Sequence, residues 1–287
     1  MKKNITLFVL TGLLVIIAFI STMSPKNKPV LSSAWDVMGP ATPRGYICYK
    51  TPRPILVDGK DDDAAWQFVE WSESFADIEH IDPAIRKAIE SKLADGMPTP
   101  LPSKRAKPRF ATRAKLLWDD SFLYVYCEME EPHLWAVAST NNEQIYKTDN
   151  DFEIYLDPDG DNQNYYEFEV SPNNIIWELN PKKTYDDGWV YEKPYNLVGL
   201  QSAVHLRGTL NDPTDTDEGW CVEVAIPLGE LKRFSPNAPF PPKDGQYWRF
   251  GLARVEWIVD ILNGTYQKLD RIDRPANNWV FSPVGKP

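Results

Sequence analysis

The sequence predicts an all-β protein, an antiparallel β-sandwich with one short helical insertion. Short runs alternate apolar and polar residues with a period of two, and clusters of Asp, Asn, Ser and Gly separate them. Successive strand residues point to opposite faces, so each run has one face for a core and one mixed face. Prolines outnumber glycines, 25 to 15, which favours strands and loops over long helices. The alternating runs cover residues 123–129, 151–156, 165–170, 220–226 and 248–253.

The first 24 residues differ from the rest of the chain. Lys2 and Lys3 precede an apolar run over residues 5–20, which is typical of an export signal. That run is also close to the minimum length of a membrane-spanning helix, so an uncleaved anchor stays open as an alternative. We predict a signal peptide or membrane anchor over 1–24, a polar linker over 25–44 and one β-sandwich domain over 45–287. The protein is then exported to the periplasm, the cell surface or the extracellular space.

The predicted helical insertion covers residues 82–96. Apolar residues recur there at helical spacing, and the pair Asp82-Pro83 provides an N-cap followed by proline in the first turn. A proline-rich stretch over 98–108 follows it.

Charge and cysteine content exclude several classes of protein. The formal net charge of −10 argues against a nucleic-acid partner, because phosphate binding needs a basic surface. Contact with a membrane is expected only through the N-terminal segment. Cys48, Cys127 and Cys221 form no CxxC pair, so no zinc site is predicted. One disulfide is compatible with their number, and the apolar alternation around Cys127 predicts a buried thiol.

Several segments follow one another in a specific order and spacing. They are an opening strand and turn at 55–60 with Trp66, a hairpin at 112–125, an acidic strand at 150–158, a late strand at 219–227, and closing segments at 248–257 and 278–283. Together they resemble carbohydrate-binding module family 9 and its stand-alone relatives, over about residues 45–285. The resemblance implies a jelly-roll-like sandwich that holds a sugar on aromatic side chains and does not cleave it.

The resemblance also implies a set of site residues. In the family, two tryptophans sandwich a terminal sugar while polar side chains bind its hydroxyls. Tyr146 or Lys147, depending on the alignment, holds the first aromatic position, and Trp279 matches the second. Glu153 matches an acidic residue of the site. The sequence departs from the family on the next strand, where Glu169 and Ser171 replace a basic and an amide residue.

The residue types support this chemistry independently. Sugar rings have apolar C–H faces and a polar rim, so they bind where aromatic planes meet carboxylates, amides or guanidinium groups. Trp257 shares a strand face with the small residues Gly251 and Ala253, which leave room for a ligand or a neighbouring ring. For each candidate a structural role is the alternative: core packing for the rings, a hydrogen-bond acceptor for Glu153, or an ion pair with Glu256 for Arg254. The predicted carbohydrate-binding residues are Trp279, Trp257, Glu153, Tyr146, Trp177 and Arg254.

The loop over 157–162 is a candidate calcium site. Asp157, Asp159 and Asp161 place three carboxylates within five residues, and Ca²⁺ prefers such oxygen-rich loops. A solvated hairpin turn is the structural alternative, because Asp, Asn and Gly also form turns. We predict no cofactor other than this candidate structural calcium.

Two alternatives to non-catalytic sugar binding remain open, glycoside hydrolysis and haem binding with electron transfer. A glycoside hydrolase needs two carboxylates about 5–5.5 Å or about 6.5–9.5 Å apart, and Glu153, Glu167, Glu169 and Glu223 could supply a pair. Haem binding needs axial ligands, for which only Met129 and His133 are close in sequence. We favour a carbohydrate-binding protein of the cell envelope that supports the capture and catabolism of poly- or oligosaccharides, with glycoside hydrolases of the same pathway as partners.

Overall fold

The computed structural model describes residues 43–78, 107–184, 187–192, 195–269 and 276–282. All of them lie in one compact unit of the chain. The predicted signal segment, most of the predicted linker and the helical insertion at 82–96 fall outside the described residues. Within the described ranges, no helix has the length and apolarity needed to cross a membrane.

The described strands follow the alternating runs of the sequence, as predicted. In chain order they are β1 (Tyr49–Lys50), β2 (Ala76–Asp77), β3 (Thr112–Trp118), β4 (Phe122–Glu130), β5 (Asp151–Asp157), β6 (Tyr166–Val170), β7 (Ile176–Pro181), β8 (Tyr191–Glu192), β9 (Gln201–Arg207), β10 (Gly219–Pro227), β11 (Arg249–Glu256), β12 (Val259–Leu262), β13 (Thr265–Lys268) and β14 (Asn277–Val280). Helical structure among these residues is limited to short segments: 3₁₀ turns at Trp66–Phe68 and Ile145–Lys147, and helix α1 at Leu228–Leu231.

The strands form two main sheets and a separate hairpin. The first sheet has the order β1-β3-β4-β10-β9, and the second has the order β2-β14-β11-β5-β6-β7-β8. β12 pairs with β13 apart from both sheets. Neighbouring strands are antiparallel, except that β1 runs parallel to β3.

One hydrophobic core combines the inward faces of the two sheets. Alternate residues of the central strands enter it, including Val125, Val224, Ile154, Phe168 and Leu252. These side chains are almost fully buried, and burial of each contributes about 1.5–3 kcal/mol. The antiparallel β-sandwich predicted from the alternation is therefore confirmed.

The cysteines and several tryptophans have structural positions. Cys48, Cys127 and Cys221 are free thiols, so the disulfide that their number allowed does not form. Cys127 is fully buried in the core, as predicted, and burial raises the pKa of its thiol. Trp66 and Trp220 are fully buried, and Trp118 and Trp248 are half-buried against the core.

The segment over residues 55–71 covers the outer face of the first sheet. Trp66 donates a hydrogen bond from Nε1 to Glu223 Oε1 at 2.9 Å. The other carboxylate oxygen of Glu223 accepts from the backbone N–H groups of Asp58 and Gly59. Gly59 is required there, because its φ is +85° and a Cβ would lie 2.8 Å from the backbone nitrogen of His205. Glu223 thus anchors this covering segment and lies on the sheet opposite to Glu153.

Candidate functional site

Four acidic side chains meet on the outer face of the second sheet. Asp151 and Glu153 lie on β5, and Glu167 and Glu169 lie on the neighbouring β6. The register places Glu153 directly opposite Glu169. We call these four residues the carboxylate cluster, and all four are buried. Their positions follow from the alternation of the two strands, whose intervening apolar residues fill the core.

The carboxylate cluster is tightly packed and sparsely hydrogen-bonded. One oxygen each of Asp151, Glu153 and Glu169 lie within 4.8 Å of one another. Glu153 Oε2 accepts from the Tyr155 hydroxyl at 2.7 Å, and Asp151 Oδ1 accepts from the backbone N–H of Val255 at 3.3 Å. Among the described residues, no donor reaches Asp151 Oδ2, Glu167 Oε2 or Glu169 Oε2.

Burial controls the protonation of these groups. Loss of hydration raises the pKa of Glu153 to about 7, although the Tyr155 hydrogen bond opposes this shift. Burial is also the largest cause that raises the pKa of Asp151, Glu167 and Glu169 well above the usual range, and the charges of neighbouring members of the cluster add to it. Buried carboxylates this close cannot all carry charge without a counter-ion. With no cation bound, the cluster therefore retains protons at neutral pH.

Aromatic side chains lie on the same face, beside the carboxylate cluster. The rings of Tyr146 and Trp177 are stacked, with centroids 5.4 Å apart and planes inclined by 15°. Trp177 lies on β7 directly opposite Glu169 on β6. Trp257 donates from its indole nitrogen to the backbone carbonyl of Tyr146 at 3.1 Å. The structure therefore brings together four of the predicted carbohydrate-binding residues: Glu153, Tyr146, Trp177 and Trp257.

These aromatic residues differ in their exposure. Trp177 and Trp257 are buried, and Tyr146 is half-buried and packs against both of them. Trp257 shares its strand face with Gly251 and Ala253, as the alternation predicts. The space beside Gly251 is taken by the ring of Tyr155, since a Cβ on Gly251 would lie 3.3 Å from Tyr155 Cδ2. Of the predicted rings on this face, Tyr146 is the one that is not buried, and its exposed surface is the part of the ring left uncovered by Trp177.

Polar contacts fix the position of Tyr146 before β5 begins. The Asp149 carboxylate accepts from the backbone N–H groups of Val137 and Ala138. The Asn150 side chain accepts from the backbone N–H of Trp257 at 2.8 Å. These contacts hold the segment that carries the 3₁₀ turn Ile145–Lys147 against the outer face of the second sheet.

Trp279 and Arg254, expected as ligand contacts, lie instead on the opposite, core-facing side of the second sheet. They are directly opposite each other in the pairing of β11 with β14, so both point into the sandwich. Trp279 is 2% exposed and packs edge-on against Phe110. Arg254 is fully buried, and its guanidinium pairs with Glu131 and Glu256 at 2.8 Å each. Neither side chain has a surface available to a sugar.

The Asp157, Asp159 and Asp161 loop brings its carboxylates together. One oxygen of each lies within 4.8 Å of the others. Both Asp157 oxygens accept backbone N–H groups of the turn, from Gly160 at 2.9 Å and from Asn162 at 2.8 Å. These bonds give Asp157 a structural role in the hairpin turn, and calcium binding at this loop stays a prediction.

A separate groove of about 500 Å³ lies beside β1, at the first sheet. Its lining includes Tyr49, Arg53 and Phe68. Phe68 is 72% exposed, and the Arg53 guanidinium lies 5.2 Å from the centre of its ring. The sequence patterns did not single out this groove, because Phe68 and Arg53 lie outside the alternating runs.

Comparison with known proteins places the chain in a family. The family model described as carbohydrate family 9 binding domain-like matches residues 99–253, more than half of the chain. This protein therefore belongs to the carbohydrate family 9 binding domain-like family. No curated protein matches the chain.

Solved structures similar to this chain include modules of the same type. One is a carbohydrate-binding module family 9 from Caldicellulosiruptor kristjanssonii, in complexes with glucose and with cellotriose. In both complexes the module is 19% identical in sequence to this chain. The match to the glucose complex covers 81% of this chain and 84% of the module, with a TM-score of 0.46. The match to the cellotriose complex covers 80% of this chain and 82% of the module, with a TM-score of 0.44. A Bacteroides uniformis ATCC 8492 protein, provisionally called carbohydrate-binding, is 15% identical, covers 86% of this chain and 94% of its own, and has a TM-score of 0.50. This last likeness supports the shared sandwich fold.

Proposed function

We propose that this protein binds a carbohydrate without cleaving it, at the outer face of its second sheet. Family membership supports the class of ligand. The observation that supports the place is the stacked pair Tyr146 and Trp177 beside the buried carboxylate cluster, in which Glu169 lies directly opposite Trp177. An aromatic plane next to hydrogen-bonding carboxyls suits the apolar faces and hydroxyl rim of a sugar. In this proposal the half-buried ring of Tyr146 is the contact surface.

We further propose that binding takes place outside the cytoplasm. The charged start and apolar run of residues 1–24 support export, with or without retention of that segment as an anchor. An exported sugar-binding protein would hold poly- or oligosaccharides at the cell envelope and supply them to glycoside hydrolases of the same pathway. The net charge of −10 is compatible with a neutral ligand.

A binding experiment tests the proposal. The full chain, purified in a mild detergent, is screened on a glycan array, and the best ligand is titrated by calorimetry. Tyr146→Ala is expected to weaken binding at least tenfold, because it removes the stacking surface and leaves the backbone carbonyl that Trp257 needs. Tyr247→Ala is the matched control, since Tyr247 is 93% exposed and should not affect affinity. A folded protein that binds no glycan contradicts the proposal.

Hydrolysis of O-glycosyl bonds is a second candidate function, favoured by one observation. Burial raises the pKa of Glu153 to about 7, which is the range of a general acid in glycosidases. Glu169 lies opposite as a partner carboxyl. Sugar release from a panel of polysaccharides, abolished by Glu153→Gln, would support catalysis. Binding without release would support a purely binding protein.

A further inference from the structure

The carboxylate cluster has the geometry of a cation site. Ca²⁺ binds oxygen ligands at about 2.3–2.6 Å, so oxygens on opposite sides of one ion are at most about 5 Å apart. The clustered oxygens of Asp151, Glu153 and Glu169 lie within 4.8 Å of one another. One ion at their centre can therefore contact all three, and Glu167 lies on the same strand face as Glu169.

The unsatisfied oxygens are an independent sign that a ligand is missing from this site. Asp151, Glu167 and Glu169 are 0%, 1% and 2% exposed, and each has one oxygen that no described donor reaches. In the part of the chain that the structure describes, no lysine, arginine or histidine forms an ion pair with any of the four carboxylates. A proton shared between Glu167 and Glu169 would give these two a hydrogen bond only while one of them is neutral.

Other buried carboxylates of this protein have hydrogen-bond donors or an ion-pair partner. Glu223 accepts from three donors, namely the Trp66 indole and two backbone N–H groups. Glu178 accepts from the Tyr166 hydroxyl and the backbone N–H of Leu197. Glu131 and Glu256 share the guanidinium of Arg254. Incomplete satisfaction is thus a property of the carboxylate cluster and not of buried acids in this protein generally.

The ligand set indicates which ion fits. The cluster offers carboxylate oxygens from two adjacent strands and no nitrogen or sulfur ligand, which favours hard cations over zinc or copper. Ca²⁺ tolerates irregular coordination by several carboxylates, whereas Mg²⁺ demands near-octahedral geometry and keeps much of its water. A fully buried site with little room for water therefore suits Ca²⁺ better.

We infer that Asp151, Glu153 and Glu169 of the carboxylate cluster bind one Ca²⁺ ion, which ties β5 to β6 beneath the outer face of the second sheet, with Glu167 beside it on β6. This site is distinct from the Asp157, Asp159 and Asp161 loop. The inference does not depend on carbohydrate binding, because it rests on the buried oxygens alone.

Calorimetry and thermal unfolding test the inference on the full chain after chelator treatment. Titration with CaCl₂ at pH 7.5 is expected to show saturable binding. At a free concentration 100 times the Kd, the melting temperature should rise by roughly 5–10 °C. MgCl₂ should bind more weakly. Wild-type protein that neither binds Ca²⁺ nor gains thermal stability overturns the inference.

Two variants separate the cluster from the exposed loop. Glu169→Gln removes one ligand charge at nearly constant shape and should weaken Ca²⁺ binding at the cluster at least tenfold. Asp159→Asn is the matched control in the loop and should leave that binding event intact. If Glu169→Gln binds Ca²⁺ as tightly as wild type, or if Asp159→Asn abolishes all binding, the inference is wrong.

If Glu169→Gln does not fold, Asp151→Asn is used in its place. This variant is also expected to weaken Ca²⁺ binding at the cluster at least tenfold. If both cluster variants fail to fold, Asp159→Asn distinguishes the two sites. Ca²⁺ binding that persists in Asp159→Asn supports a site at the carboxylate cluster, and its complete loss assigns the ion to the loop. Sugar titrations of the same wild-type samples, with chelator and with Ca²⁺, keep failure of this inference distinguishable from failure of the proposed carbohydrate binding.

Discussion

The guanidinium carbon of Arg254 lies 5.0 Å from the centre of the Trp279 indole, and both side chains are buried between the sheets. The same guanidinium donates to Glu131 and Glu256 and to the backbone carbonyl of Glu130. Arg254 thus links β11 of the second sheet to the end of β4 in the first. A buried charge network at this position holds the two sheets together instead of contacting a ligand.

Arg254→Met tests this structural role. The change removes the counter-charge of buried Glu131 and leaves buried Glu256 only the partly exposed Arg109 at 3.5 Å, which should lower the free energy of unfolding by about 3–5 kcal/mol. Arg113→Met is the matched control, because the Arg113 pair with Glu128 is partly exposed and should cost about 1 kcal/mol or less. Urea unfolding of both variants measures the difference. Equal effects would mean that Arg254 contributes no more than a surface charge.

Trp279→Phe separates a core role from a ligand role. The smaller ring leaves a gap against Phe110 and Arg254, so the free energy of unfolding should fall by about 1–3 kcal/mol. Sugar affinity, measured by calorimetry at a temperature where the variant is folded, should stay within about twofold of wild type. A selective loss of affinity with unchanged stability would return Trp279 to the binding site.

Glu178 makes the stability depend on pH. Burial raises its pKa to about 7, above the usual value of a glutamate. A carboxyl whose pKa is higher in the folded protein binds its proton more tightly there than in the unfolded chain. Its stabilising contribution to the free energy of unfolding is therefore fully present below pH 4.5 and is lost as the pH rises through about 7. At neutral pH, the loss of this contribution lowers the free energy of unfolding by at most about 3 kcal/mol.

Glu178→Gln should therefore reduce the decline in unfolding free energy between pH 5 and pH 8, measured by urea unfolding at each pH. Glu192→Gln, on the exposed strand β8, is the control and should leave the wild-type pH profile unchanged. A Glu178→Gln profile parallel to wild type between pH 5 and pH 8 would show that folding does not raise the pKa of Glu178.

Gly59→Ala tests the close approach that anchors the covering segment of the first sheet. An alanine there must adopt a φ of +85° and place its Cβ 2.8 Å from the His205 backbone nitrogen. We expect a loss of about 2 kcal/mol or more in unfolding free energy. Gly229→Ala is the matched control, because Gly229 lies in α1 with nothing within 4 Å of a Cβ, and alanine should be neutral or stabilising there by up to about 1 kcal/mol. Similar losses at both positions would contradict this account of Gly59.

The strands were predictable from the sequence because alternation is a local property. Residues 151–157 and 166–170 each show which side chains share a face, and this assigned the carboxyls and the apolar residues of β5 and β6 correctly. The same reasoning placed Trp257 with Gly251 and Ala253. These inferences need the period of one strand and no knowledge of its neighbours.

The two incorrect expectations had different causes: the orientation of Trp279 depends on strand pairing, whereas alternation alone places Arg254 on the core face of β11 with Phe250 and Leu252. The resemblance put Trp279 in the place of a sugar-stacking ring, but the pairing of β14 with β11 turns that ring into the core beside Arg254. Nothing local in Asn277–Val280 fixes that orientation. Likewise, Asp151 and Glu169 lie 18 positions apart, and only the register of β5 with β6 brings their carboxyls together. The two D-x-E and E-x-E patterns were the available signal for the cluster.

The most direct test of the central claim maps where a sugar binds on the folded chain. Hydrogen–deuterium exchange of the full protein, with and without the best ligand from the glycan array, measures amide protection along the sequence. The account predicts added protection over residues 135–149 and in β7, around Tyr146 and Trp177. Protection confined to residues 49–70, at the groove beside Phe68, would place the sugar on the first sheet and contradict the account.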